Sequence, residues 1–193
     1  MTLLRGTTLL FTALLLTTVP ALAQAAATDR VAGARKYFTD VELINQDGQP
    51  MRLYSDLLDG KTVVINTFFT TCTGACPATA RTLKKVQDWL GDRLGRDVLL
   101  VSISVDPEHD TPPRMKEFGA QFGAKPGWIF LTGSKANVDF ALSKLGSFVE
   151  KKDDHVNLLF IGNEKTGLWK KAFSLAPAEE LIPIVESVVD DKG

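Results

Sequence analysis

Cysteine and histidine are scarce in this chain, with two residues of each among 193. Two cysteines can form one disulfide bond at most, which excludes a fold held together by a framework of bridges. An excess of charge of one sign is also absent: 22 Lys and Arg face 23 Asp and Glu, for a formal net charge of −1. Without a basic excess there is no long-range attraction for nucleic acid or an anionic membrane, and we expect neither as a partner.

A long uninterrupted apolar run is missing too, which bears on the N-terminus. Arg5 precedes the apolar stretch 7–19, and Ala21 and Ala23 place small residues where a signal peptidase cleaves. Threonines and Pro20 interrupt the stretch, so it is short for a membrane span of ~20 apolar residues. We expect residues 1–23 to be a signal peptide cleaved after about Ala23, and the protein to be exported, to the periplasm. Membrane contact would then occur only through a partner or an uncleaved signal.

The remainder of the chain predicts a single domain. Residues 24–36 are rich in alanine and lack periodicity, which predicts a flexible leader. Residues 37–193 form the domain, since 45% hydrophobic and 23% charged residues suit one globular unit with a sizeable core. No internal repeat or second core is visible.

Both cysteines lie in one segment, from Thr71 to Pro77. The apolar run 62–69 before it predicts a strand buried on both faces, and the amphipathic pattern after Pro77 predicts a helix. Pro77 suits the first helical position, which puts Cys76 near the N-cap, where unpaired N–H groups and the helix dipole favour a thiolate. We expect Cys72 and Cys76 to be a reactive pair. A purely structural disulfide is the alternative, but it would close a small loop and stabilise weakly.

The order of predicted elements indicates an α/β fold. A second apolar run, 97–105, completes a strand, helix, strand unit whose strands should be parallel. The other predicted elements are an N-terminal hairpin of 37–44 and 49–53, a helix 112–122, an apolar segment 128–131, a helix from Ser134 to Leu145, a hairpin of 156–161 and 168–174, and a helix starting at Pro177. This order matches a thioredoxin-like fold with an extra N-terminal β-hairpin and an inserted helix.

Three segments together carry a resemblance to a known family. They are the strand 63–69 before Cys72-x-x-x-Cys76-Pro77, the segment 101–107 followed by Asp110 and Thr111, and Asp154-His155. This combination resembles the SCO/SenC family of thioredoxin-like copper proteins, over roughly residues 37 to 189. A CxxxC spacing alone would be weak, and the distant histidine makes the pattern specific.

The resemblance implies a copper site of two thiolates and one imidazole, formed by Cys72, Cys76 and His155. It implies a metallochaperone that delivers copper to the dinuclear centre of cytochrome c oxidase, with the copper-centre subunit as partner. The alternative role that it implies is to keep the cysteines of that centre reduced. Cys72 and Cys76 would form a disulfide when oxidised, and in an oxidising compartment they would then need a thioredoxin-like reductant. Most members have proline where this chain has Thr73, so the balance between copper delivery and thiol reduction stays open.

The residue types also favour copper on chemical grounds. Soft thiolates select Cu(I), with Cu(II) left open, and a structural zinc site normally has four protein ligands where three candidates are visible here. His155 opens a strand that a thioredoxin-like sheet places beside the cysteine loop, and Asp154 is a candidate acceptor for its ring. His109 lies in a polar loop and is left out of the site.

Other assignments remain as alternatives. A thiol–disulfide oxidoreductase without copper transfer would use the same two cysteines. A thiol peroxidase is a third class, because Thr73 to Cys76 is similar to the T-x-x-C motif of peroxiredoxins, although Phe69 stands where that motif requires proline. Asp106 and Asp110 match the family pattern, but capping of the following turn explains them as well.

Overall fold

The structure, a computed structural model, describes residues 18–193 and contains seven strands and five helices within that range. The strands are β1 Glu42–Asn45, β2 Pro50–Arg52, β3 Thr62–Phe68, β4 Val98–Ser104, β5 Trp128–Thr132, β6 Leu158–Asn163 and β7 Leu168–Phe173. The helices are α1 Thr18–Phe38, α2 Ala75–Leu90, α3 Pro112–Gln121, α4 Lys135–Leu145 and α5 Ala178–Val189. Shorter turns are the π-helical Leu53–Leu58 and the 3-10 turns Gly91–Arg93 and Lys152–Asp154.

All seven strands form one sheet in the order β2-β1-β5-β4-β3-β6-β7. Strand β3 is parallel to β4, and β4 to β5, while β6 pairs antiparallel with both β3 and β7. The two central strands, β3 and β4, are buried at every position, because helices cover both faces of the sheet. The predicted thioredoxin-like α/β fold, including the parallel unit around the cysteines, is confirmed.

Alternate residues of β3 divide the interior into two cores. Val64 and Phe68 pack with α2, α3 and α5, and this core includes Cys76. Val63 and Ile65 point to the opposite face, where α4, the π-helical turn and the end of α1 cover the sheet. Successive side chains of a strand alternate between faces, so the cysteines belong to the α2 side only.

Helix α1 occupies the segment for which a flexible leader was predicted, residues 24–36. Alanine and long unbranched side chains favour helix, and tertiary contacts fix its last turns. The Arg35 guanidinium donates to Asp59 at 2.7 Å, and Phe38 is buried against the sheet. The strand expected from residue 37 therefore starts only at Glu42, after a reversal at Thr39, whose φ is 58°.

The predicted signal peptide falls mostly outside the described residues, which begin at position 18. The expected cleavage point at Ala23 lies within α1, and cleavage there remains a prediction. Within residues 18–193, no helix has the length and apolar character that crossing a bilayer requires.

Helix α2 begins earlier than the sequence suggests. Gly74 is its N-cap, so Cys76 is the second helical residue and Pro77 the third, not the first. Proline fits there because the first-turn N–H groups have no intrahelical acceptor. The expected cap at Ser134 is confirmed: its hydroxyl accepts the N–H of Asn137 at 3.2 Å.

Candidate metal centre

The two cysteines and His155 lie near the end of β3, where His155 contacts Cys76. The loop after β3 carries Cys72, whose N–H donates to the carbonyl of Phe69 at 3.2 Å, and Cys76 follows in the first turn of α2. His155 lies just before β6, and β6 runs antiparallel to β3. The start of β6 therefore adjoins the end of β3, which brings residues about 80 positions apart into contact.

His155 faces the buried thiol through its Nε2 atom, which lies 3.7 Å from Sγ of Cys76. Its Nδ1 lies 2.8 Å from the carbonyl oxygen of Lys152. A carbonyl can only accept, so Nδ1 is the ring nitrogen that donates there, and Nε2 is the ring nitrogen that faces the thiol. Phe69 packs edge-on against the ring at 5.4 Å and restrains it. The expected role of Asp154 as the ring's acceptor is wrong, because the Lys152 carbonyl fills it.

Cys72 is partly exposed and is the thiol that ionises more readily. Burial raises its pKa, but the Cys76 thiol and the N–H groups of Cys76, Gly74 and Ala75 donate to it, so the pKa is lowered overall. The N–H of Cys76 lies 3.4 Å from Sγ of Cys72. The N-terminus of α2 thus stabilises a thiolate, as expected, but on Cys72 rather than Cys76.

Cys76 has the opposite character. Its side chain is only 3% exposed. Burial, followed by the hydrogen bond it donates to Cys72, raises its pKa to about 12. The prediction that Cys76 is a thiolate through its place at the helix start is therefore wrong, because desolvation outweighs the helix terminus. At neutral pH the reduced pair therefore consists of Cys76, a buried and protonated thiol, and Cys72, an accessible thiol that is the more reactive of the two.

Asp110 joins the cysteine loop to the end of β4. It is fully buried and accepts the N–H of Thr70 at 3.1 Å, the hydroxyl of Thr70, and the hydroxyl of Ser104 at the end of β4. Thr70 stands two residues before Cys72. A cap for the following turn was one explanation for Asp110, but its bonds run 40 residues back along the chain to the cysteine loop. The match of Asp110 to the family pattern was the sequence signal for this role.

Lys152 ties the turn that holds His155 to the end of β4. Its Nζ donates to Asp106 at 2.6 Å and lies 5.1 Å from the ring centre of Phe69. Burial opposes ionisation of Asp106, but hydrogen bonds from Lys152 and His109 lower its pKa. His109 binds Asp106 on the other carboxylate oxygen at 2.7 Å. It therefore contacts Asp106 and not the thiols, in line with its omission from the site.

The donors fit a soft metal, although they do not form a closed cage. Among residues 18–193 no three His, Cys, Asp or Glu side chains are grouped closely enough to hold an ion. Cys76 and His155 already adjoin, whereas Sγ of Cys72 is turned to the N–H of Cys76. Two sulfurs and an imidazole suit copper rather than magnesium or calcium, which require oxygen ligands.

Comparison with known proteins identifies the family. The family model for SCO1/SenC matches residues 30–190. The chain belongs to the SCO1/SenC family. The resemblance seen in the three sequence segments is thereby confirmed. A relative, the SCO1 protein homolog of Bacillus subtilis, is 35% identical over 112 residues, which cover 56% of this chain and 56% of that protein. The match to this relative thus spans little more than half of its length.

Solved structures of SCO proteins share the fold. ScoI of Arabidopsis thaliana with copper bound is 27% identical, with a TM-score of 0.62 over 75% of this chain and 92% of that one. BsSco, in which a disulfide switch was identified, is a member of the Sco family of cytochrome c oxidase assembly proteins. It is 29% identical, with a TM-score of 0.64 over 78% of this chain and 92% of its own.

Proposed function

We propose that this SCO1/SenC protein is an exported, periplasmic metallochaperone that carries copper to the dinuclear copper centre of cytochrome c oxidase. Its ligands would be Cys72, Cys76 and His155. The observation that carries the proposal is the 3.7 Å approach of Sγ of Cys76 to Nε2 of His155, whose Nδ1 faces the carbonyl oxygen of Lys152. A soft donor and a borderline donor face each other there, and the sulfur is buried, which suits Cu(I). The copper-bound Arabidopsis ScoI supports the choice of metal.

Each of the three residues has a distinct task in binding this cargo. Cys72 offers the more easily ionised sulfur, which would have to turn away from the N–H of Cys76 to bind the metal. Cys76 must lose its proton as copper binds, because thiolates and not thiols are ligands. His155 presents Nε2 to Cys76, while its Nδ1 is held by the carbonyl oxygen of Lys152.

Oxidation should switch binding off. A disulfide between Cys72 and Cys76 would use both sulfurs and leave His155 alone, so copper loading and the oxidised state exclude each other. An exported protein then needs an electron donor, and a thioredoxin-like reductant has the right chemistry. The disulfide switch identified in BsSco supports this reading.

The test is an anaerobic titration of the reduced protein with Cu(I) in competition with a chromophoric chelator. We expect one equivalent to bind tightly, Cys72→Ala and Cys76→Ala each to abolish tight binding, and His155→Ala to weaken it. The disulfide form, confirmed by the loss of two titratable thiols, should not bind. Undiminished binding in the oxidised protein would place copper elsewhere and contradict the proposal. N-terminal sequencing of exported protein tests cleavage near Ala23.

A thiol–disulfide oxidoreductase without copper transfer is the second candidate. The lowered pKa of Cys72 beside the protonated Cys76 favours it, since an accessible thiolate attacks and a neighbouring thiol resolves. Reduction of a model disulfide at a rate that Cys72→Ala abolishes, with no copper bound by the parent, would favour this candidate. A peroxidase is not proposed, because the T-x-x-C similarity concerns Cys76, whose pKa is raised to about 12.

A further inference from the structure

Three exposed apolar side chains gather beside His155. Val156 is 39% exposed, Phe173 73% and Leu175 49%, and together with His155 they line one hollow of about 360 Å³. In the described part of the chain only seven large hydrophobic side chains are exposed. Three of these seven lie beside His155, one of the three proposed copper ligands. We name Val156, Phe173 and Leu175 the apolar lip.

The apolar lip is joined firmly to both parts of the site. Phe173 ends β7 opposite Leu158 of β6, and the N–H of Ser174 donates to the carbonyl of Asn157 at 2.9 Å. The hydroxyl of Ser174 lies 3.0 Å from that of Thr79, one turn along α2 from Cys76. The lip is therefore held at a fixed place between the histidine and the cysteine helix.

The chemistry of copper transfer indicates which protein contacts the apolar lip. Cys76 is buried whereas Cys72 and His155 are partly exposed, so we expect an incoming ligand to approach from their side. A thiolate of the receiving protein has to bind copper before the last Cu–S bond to this protein breaks, because direct transfer releases no free Cu(I). The receiving protein must therefore sit on the surface that borders His155. Exchange replaces one Cu–S bond by another, copper stays as Cu(I), and the proton that each incoming thiol loses passes to the sulfur that it displaces.

The character of the surface narrows the choice of partner. The neighbouring turn carries Lys151, Lys152, Asp153 and Asp154, so its charges balance and give no strong electrostatic attraction. We therefore expect the apolar side chains to make the contact, since aromatic residues, Phe included, are enriched in protein interfaces. A matching partner presents an apolar rim around its own copper ligands.

We propose that the apolar lip is the docking surface for the copper-receiving protein, and that this partner buries Phe173 and Leu175 against an apolar rim around its copper-binding thiolates. This inference rests on the proposed function. The lip should govern the encounter with the partner, and not the affinity for copper, because none of its three side chains supplies a ligand.

The experiment compares the double variant Phe173→Ser, Leu175→Ser with the control Phe140→Ser. Phe140 is 37% exposed on α4, whose buried residues belong to the opposite core. Each protein is loaded with Cu(I) and mixed anaerobically with the reduced, copper-free dinuclear-copper domain of a cytochrome c oxidase subunit. Loss of two interface anchors should lower the second-order transfer rate about ten-fold or more. The limiting rate at high domain concentration should stay parental, as should Cu(I) affinity, and the control should transfer like the parent.

Other results separate the possible failures. Parental transfer by the double variant would overturn the docking surface while leaving the proposed function intact. Weakened Cu(I) binding by a variant with the parental circular dichroism spectrum would also overturn it, because the lip would then support the ligands instead. Self-association of the parent that the double variant lacks, seen by sedimentation, would make the lip an interface between copies and refute the inference. If the parent binds no Cu(I), the proposed function is refuted, and the docking surface is refuted with it.

Discussion

The difference between the two thiols should be visible as unequal alkylation of the reduced protein at pH 7. Cys76, with a pKa of about 12, carries roughly one thousandth of the thiolate that an ordinary cysteine of pKa 9.0 carries. A thiolate of higher pKa is intrinsically more nucleophilic, and three pKa units raise the rate constant of the thiolate by a factor of about 20. Cys76 should thus react about 50-fold more slowly than an ordinary thiol, and its burial slows it further.

Cys72 should react faster than Cys76 by more than this factor. Its pKa is lowered by hydrogen bonds that outweigh burial, and its side chain is partly exposed. The assay is timed treatment with iodoacetamide, quenching, and tandem mass spectrometry of the tryptic peptide 62–81, which contains both cysteines. Between pH 7 and 9 the rate for Cys76 should rise about tenfold per unit, because its thiolate fraction does.

Two controls locate the cause. In guanidinium chloride the two cysteines should react at similar rates, since the unfolded chain has neither the burial nor the helix terminus. Cys76→Ala removes a hydrogen-bond donor to Cys72 and should slow alkylation of Cys72. Equal rates in the folded protein at pH 7, or faster labelling of Cys76, would refute the reasoning from desolvation.

Three further predictions concern stability and the support of the site. Since folding raises the pKa of Cys76 from 9.0 to about 12, its contribution to stability is complete below pH 9 and is lost as pH rises towards 12. Relative to Cys76→Ala, the reduced parent should lose about 2 kcal/mol in free energy of unfolding by pH 10.5, measured by urea titration; a constant difference between the two would contradict this. Asp110→Ala should lower the free energy of unfolding by about 3 kcal/mol at pH 7, because the Thr70 N–H and the Ser104 hydroxyl lose their buried acceptor. The control Asp153→Ala, at an exposed position, should change the free energy of unfolding little. Lys152→Met should weaken Cu(II) binding about tenfold by freeing the turn that holds His155, and should weaken Cu(I) binding less, because the thiolates carry most of the Cu(I) affinity. Lys152→Arg should stay close to the parent; an equal loss for both oxidation states would show a general disturbance instead.

Much of the fold could be predicted from the sequence because local patterns specify it. The continuous apolar runs identified β3 and β4 as buried strands, and the helix between them required the two strands to be parallel. Ser134 was predicted as a cap because short-range hydrogen bonding decides caps. The proximity of His155 to the cysteine loop followed from the order of elements in the fold, and the structure places its ring beside Cys76.

The tertiary structure alone decided which residues control the site. Desolvation of Cys76 depends on side chains from several elements of one core, so position at the helix start could not reveal which thiol stays protonated. The bonds of Asp110 to Thr70 and of Lys152 to Asp106 join residues 40 and 46 positions apart. Helix α1 likewise has no clear periodicity in sequence and is fixed by contacts such as Arg35 with Asp59. Sequence patterns report on neighbours within a few residues, whereas burial and ion pairing are set by groups that only the folded chain brings together.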